Sequence, residues 1–314
     1  MSYLLFWSAP SAGYWQKGKP YLDAIEWIYI ADRTTAHLAF LAGQGHVRTY
    51  PQSQDLAELR DKGFVVSKSG GPVFNLLYDS ANADSPFGNL KERQAVTHAI
   101  DRAAMAKRLG PGLYEVTNQN SVPSHWSYNM EIKGYPYDPA KAKQLLAEAG
   151  YPNGFKTTLY ASTATSPDYM EAVQGYLAKV GIDGKIQMLT LAASTELQQK
   201  GWKNGIINAV FGLPGSQDPS RAWSTFHSKS GRYATILHPP EVDQLLEQSL
   251  LELDLEKRKP MIQRLAKLMV DEHAISTPMY YIPGTITKTT AVKDLRLTEE
   301  PFLSWTPEDT WLSK

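Results

Sequence analysis

The feature that most limits how this chain can fold is a change of period along it. Between residues 73 and 282, short runs rich in β-branched and aromatic residues alternate with longer segments whose apolar positions recur every three to four residues. The pattern predicts strands at 64–66, 73–78, 156–160, 185–190, 206–211 and 278–282, with a buried strand earlier at 24–31 (AIEWIYIA). It predicts helices at 34–42, 90–109, 140–149, 168–180, 194–201, 240–253 and 255–271, and an irregular, Trp-rich tail beyond. Asp138 reads as an N-cap with Pro139 at the first helical position, and Gly150 ends that helix. Strands and helices in alternation define an α/β architecture, and 314 residues suffice for two domains.

Charge narrows the possible partners. Lys plus Arg and Asp plus Glu each total 32, so the chain lacks the basic excess that nucleic acid or an anionic membrane would favour. With no cysteine, disulfides, thiolate metal sites and cysteine nucleophiles are excluded. No apolar run approaches the ~20 residues of a membrane span. The opening MSYLLFW has no basic region and is too short for a secretion signal, so any such signal is expected to be removed or to lie elsewhere in the gene.

Catalytic patterns are missing from the sequence. There is no G-x-S-x-G elbow, P-loop or dinucleotide fingerprint, and the seven histidines show no zinc-binding spacing. Asp271-Glu272-His273 reads as a solvated helix end, with His273 complementing the dipole. Three loops after strand ends carry hydroxyl, amide and aromatic groups: 160–165 (YASTAT), 213–223 (LPGSQDPSRAW) and 280–283. Ligands of α/β proteins bind at such ends, although each segment also reads as an ordinary surface loop.

Four segments carry a family resemblance. Tyr14-Trp15 followed by GKPYLDA at 18–24, Pro86-Phe87 followed by LKERQAVTHAIDRA at 90–103, YDPAKAKQLLAEAGYPNG at 137–154 and TPEDTWL at 306–312 resemble, in order, motifs of the family 5 extracellular solute-binding proteins of ABC importers. The resemblance implies a type II periplasmic-binding-protein-like fold, with two lobes joined by hinge strands near 74–78 and 279–283. Lobe I would comprise 1–77 and 284–314, and lobe II 78–283. Lobe I would be incomplete, because family members carry further chain before the Tyr-Trp segment. Its exposed edges would then be open to pairing with a second copy. Arg93 and Asp101, the latter expected near the middle of its helix, would be polar contacts holding that helix on its lobe.

The function implied is capture of a small solute (a peptide, an oligosaccharide or a metal chelate) and its delivery to permease subunits. The receptor would be periplasmic or extracellular, or lipid-anchored, with no enzymatic activity, cofactor or resident metal. The contacts implied are Tyr160, Ser162, Leu213, Gly215, Ser216, Gln217, Arg221 and Trp223 from lobe II, with Tyr78 and Tyr281 near the hinge. Trp223 reads equally well as core packing. Peptide-binding relatives place an aspartate where this chain has Gly215, so a free peptide ammonium would lack its usual carboxylate. Gln217 stands where chelate-binding relatives have an aromatic residue. Two other readings are a ligand-sensing domain of a transcriptional regulator with the same fold, and a hydrolase built on a carboxylate pair.

Overall fold

A computed structural model describes residues 7–8, 14–68, 70–123, 125–211, 223–297 and 307–313. Its frame is a six-stranded mixed sheet. In spatial order the strands are β6 (Glu115–Val116), β10 (Ser276–Tyr281), β5 (Val73–Tyr78), β9 (Gly205–Phe211), β7 (Lys156–Ser162) and β8 (Asp183–Leu189). β7 runs parallel to both β8 and β9, whereas β5 is antiparallel to β9 and β10.

Successive residues of a strand face opposite sides, and here both sides are covered. Leu76, Tyr78, Leu159 and Ile206 enter one core, with helices α3 (Leu90–Ala99), α4 (Arg102–Leu109), α5 (Pro139–Glu148) and α6 (Pro167–Ala178). Leu77, Ile207 and Ala209 enter a second core, with α8 (Pro240–Leu251) and α9 (Leu255–Lys267). The result is a three-layer α/β/α body, and β9, buried on both faces, reads as a nearly continuous apolar run for that reason.

The segment expected as one helix over 90–109 is two. Ile100 is extended, and Asp101 caps the second helix by accepting from the Ala104 backbone N–H at 2.9 Å. Apolar spacing carries through such a break unchanged, but an aspartate that can satisfy an open helix start does so. Asp138 caps α5 through the Lys141 N–H at 2.9 Å, and its own N–H donates to the His98 carbonyl at the end of α3. Arg93, 3% exposed, donates to the carbonyls of Phe87 and His273 at 2.7 and 2.8 Å and so clamps α3 to the turn after α9.

A smaller antiparallel sheet has the order β3 (Val47–Thr49), β11 (Thr285–Lys288) and β4 (Val65–Lys68). β11 lies in the tail that sequence left irregular, because four residues with two threonines carry little apolar signal. Beside it α1 (Arg33–Leu41) and α2 (Asp55–Asp61) are joined through His37. Arg48 Nη1 donates to His37 Nδ1 at 2.6 Å, which leaves His37 Nε2–H to donate to Glu58 at 2.9 Å. The buried strand expected at 24–31 reduces to β2 (Ile25–Glu26) paired with β1 (Trp7–Ser8), and Trp27, Ile28 and Tyr29 are exposed. Apolar composition favours a strand only where a partner covers it.

The two sheets are joined twice. β4 leads through 69–72 into β5, and β10 leads through 282–284 into β11. The two connections touch along their backbones: the Ile282 N–H donates to the Pro72 carbonyl at 3.1 Å, and a Cβ added to Gly71 would lie 1.9 Å from the Ile282 oxygen. β5, on the lobe I side of the division expected at 77/78, pairs along its whole length in the six-stranded sheet.

Candidate functional site

The crossing fixes one end of the larger sheet as the place where a site can form. There, register aligns a transverse row: Glu115 of β6 opposite Tyr281 of β10, Tyr281 opposite Val73 of β5, and Val73 opposite Phe211 of β9. β7 ends toward the same side at Ser162, since Tyr160 lies opposite Ile207. The row is closed on one side by Val122, which packs with Val73 and Tyr281.

The expected contact residues divide. Tyr281, 7% exposed, donates its hydroxyl to Glu115 Oε2, and burial followed by that bond raises its pKa. Tyr160 is half-buried against the second core, its ring lying where a side chain on Gly205 would be. Ser162 shapes the turn after β7, its Oγ accepting from the Ala164 N–H at 3.2 Å. Leu213, Gly215, Ser216, Gln217 and Arg221 lie outside the described residues.

Two of the aromatic residues expected as contacts lie elsewhere. Tyr78 sits at the end of β5 away from the crossing, about 16 Å along the strand from Val73. It is fully buried, its ring lies 5.4 Å from Phe87 and its hydroxyl bonds Thr277; burial pushes its pKa up to about 12. Trp223 is 2% exposed, with its ring 5.8 Å from that of Phe226. Of its two readings, core packing is the one realised. Aromatic character suits a cleft and a core equally, and only the side of the strand or turn decides between them.

Sequence reasoning missed the amides near the crossing. Asn75, fully buried two residues in from the row, has an Oδ1 without a hydrogen-bond partner. Both amide atoms of buried Asn120 are likewise unpartnered, as is Oδ1 of Asn208, whose Nδ2 donates to Thr165 Oγ1 at 3.0 Å. A buried polar atom left alone costs about 1–3 kcal/mol, so these amides favour a polar visitor or water. An asparagine inside an apolar run was the only available signal.

Among the described residues, no group of three or more His, Asp or Glu could hold a metal ion. Glu272 of the 271–273 cluster is taken by Arg264, and the Asp271 carbonyl accepts from Tyr135. A groove of about 350 Å³ between α4 and α6 lies on the outer helical face, away from the row. No helix among the described residues is long and apolar enough to cross a membrane.

Two sheets joined by adjacent crossings, with strand ends opening beside them, make this a type II periplasmic-binding-protein fold. The chain belongs to the bacterial extracellular solute-binding proteins, family 5, whose model (the "Middle" region) matches residues 8–233. The glutathione-binding protein GsiB of Escherichia coli (strain K12) is 35% identical over 204 residues, covering 64% of this chain and 40% of that protein. GsiB of Pectobacterium atrosepticum is 35% identical over 235 residues, covering 73% and 44%. The chain thus spans less than half the length of these curated relatives. Among solved structures, the periplasmic binding protein DppA of Helicobacter pylori in complex with peptide STSA is 25% identical with a TM-score of 0.74, covering 99% of this chain and 62% of that one. HbpA2 of Haemophilus parasuis, 20% identical, has a TM-score of 0.86 and covers 99% and 64%.

Proposed function

We propose that this chain is part of the substrate-binding component of an ABC importer, holding a small peptide-class solute between two lobes for delivery to permease subunits. The observation that carries the reading is family membership over residues 8–233 together with the double crossing between the sheets. In this reading one lobe is built on β3, β11 and β4, the other on the six-stranded sheet, and the protein works outside the cytoplasmic membrane. Closure is a population shift driven by contacts that the solute makes with both lobes. Hydroxyls and amides supply the polar contacts: Ser162 and the orphan atoms of Asn75 and Asn120 near the crossing, with Ser216 and Gln217 from the 213–223 loop. With Gly215 where a carboxylate would be expected, a free α-ammonium is not the main point of recognition.

Isothermal titration of the chain with glutathione, di- and tripeptides, their N-acetylated forms, oligosaccharides and metal chelates tests this. Saturable binding of peptide-class solutes, with acetylation changing affinity less than about tenfold, is the expected result. Binding confined to sugars or chelates, or to peptides with a free amine, would overturn the ligand class or the argument from Gly215 respectively.

A further inference from the structure

Of the charged side chains near the crossing, one cation reaches from the smaller sheet to the larger. Lys68, the last residue of β4, places Nζ 3.0 Å from Glu115 Oε1 and 3.0 Å from the Gly112 carbonyl. The other oxygen of Glu115 accepts from the Tyr281 hydroxyl, and Tyr281 is the last residue of β10 before the chain returns to β11. Lys68 is therefore the terminal residue of the smaller sheet on the outgoing connection, and Tyr281 that of the larger sheet on the returning one. Glu115 binds both.

We propose that Lys68, Glu115 and Tyr281 form a latch that sets the angle between the two sheets. This rests on the two-lobed reading given above. The geometry suits the role. The two connections lie backbone against backbone at Gly71 and Ile282 and are tied there by the Ile282 N–H to Pro72 carbonyl bond. A bond made just beside that pivot resists twisting without joining the lobes at their rims. Glu115 stays ionised in place: burial opposes its charge, but the bonds from Tyr281 and Lys68 outweigh burial and lower its pKa. The pair is partly solvated, with side-chain exposures of 31% and 44%, so it biases an angle and does not lock it. Tyr281 is then a positioning residue whose hydroxyl is committed to Glu115 and unavailable to solute.

The absence of cysteine makes a direct measurement possible, because spin labels attach only where cysteines are introduced. Ala57→Cys on α2 and Lys185→Cys on β8, both exposed, report the distance between the sheets without any solute. Lys68→Met is expected to broaden that distance distribution about twofold, Tyr281→Phe to broaden it in the same direction, and Lys68→Arg to restore the original width. The thermal midpoint should stay within about 2 °C of the parent in all three. A Lys68→Met distribution that superimposes on the parent's overturns the latch, as does equal broadening by Lys68→Arg. Failure to find any solute would count against the proposed function and leave this result standing.

Discussion

The six-stranded and three-stranded sheets are made from similar residues, yet they are secured in different ways. The larger is walled on both faces by helices, and some of its buried polar groups are tied back to the backbone. Asp79, for example, is fully buried and takes the Asn204 and Gly205 N–H groups and the Ser85 hydroxyl. The smaller has a core of Ile286, Val292, Leu295 and Leu297, and leans on the largely buried polar network of His37, Arg48, Asp55 and Glu58. Burying apolar surface on two faces yields rigidity that side-chain polar contacts on one face do not match. In the proposed function, the difference would suit one body carrying the binding loops while the other moves against it.

The largest expected effect tests the larger body's clamp. Arg93→Met removes the donor from the Phe87, Gly88 and His273 carbonyls and should destabilise the larger unit by about 4 kcal/mol in urea unfolding. A loss below about 1 kcal/mol would mean that packing alone holds α3 in place.

Ile286→Ala in the central strand of the smaller sheet should cost about 2 kcal/mol, near the low end for such truncations because that core is thin. Hydrogen exchange should localise the loss to β3, β4 and β11. Loss spread evenly over the six-stranded sheet would show that the two bodies unfold as one and would erase the contrast drawn between them.

The smallest effect runs in the stabilising direction. Glu92 is 1% exposed, one of its oxygens has no partner, and burial raises its pKa to about 7. The folded carboxyl thus holds its proton above the usual value near 4.5, so the unfolded state binds fewer protons between pH 4.5 and 7 and stability falls as pH rises through that window. Glu92→Gln should leave stability at pH 4 unchanged and add about 1–2 kcal/mol at pH 8, measured by chemical denaturation at both pH values. A gain of equal size at both would assign the effect to shape and not to charge.

Much of the larger body was legible from periodicity, since its strands and helices carry strong apolar patterns and clear caps such as Asp138. The break at Asp101 was not, because Val96, Ile100 and Met105 keep helical spacing across it. The smaller sheet was mostly invisible. Its strands are three to four residues long, and β11 joins β3 and β4 across more than 200 residues, a pairing that no local pattern encodes. At the site, sequence named Tyr281 as a contact near the hinge but gave no sign of the partner its hydroxyl has, because the acceptor Glu115 lies 166 residues away. Tyr78 lies in the core for a reason sequence does not carry: which side of a sheet an aromatic residue faces is settled by the packing of other elements, and the same packing decided between the two readings of Trp223.

The meeting of Gly71 with the Ile282 carbonyl has a consequence for how such a receptor can diversify. The pivot is a contact of main chain with main chain, and it asks of the sequence only that one position carry no side chain. In the proposed function, loops at the strand ends would thereby be free to drift in composition, and hence in the solutes they select, while the axis between the lobes is kept.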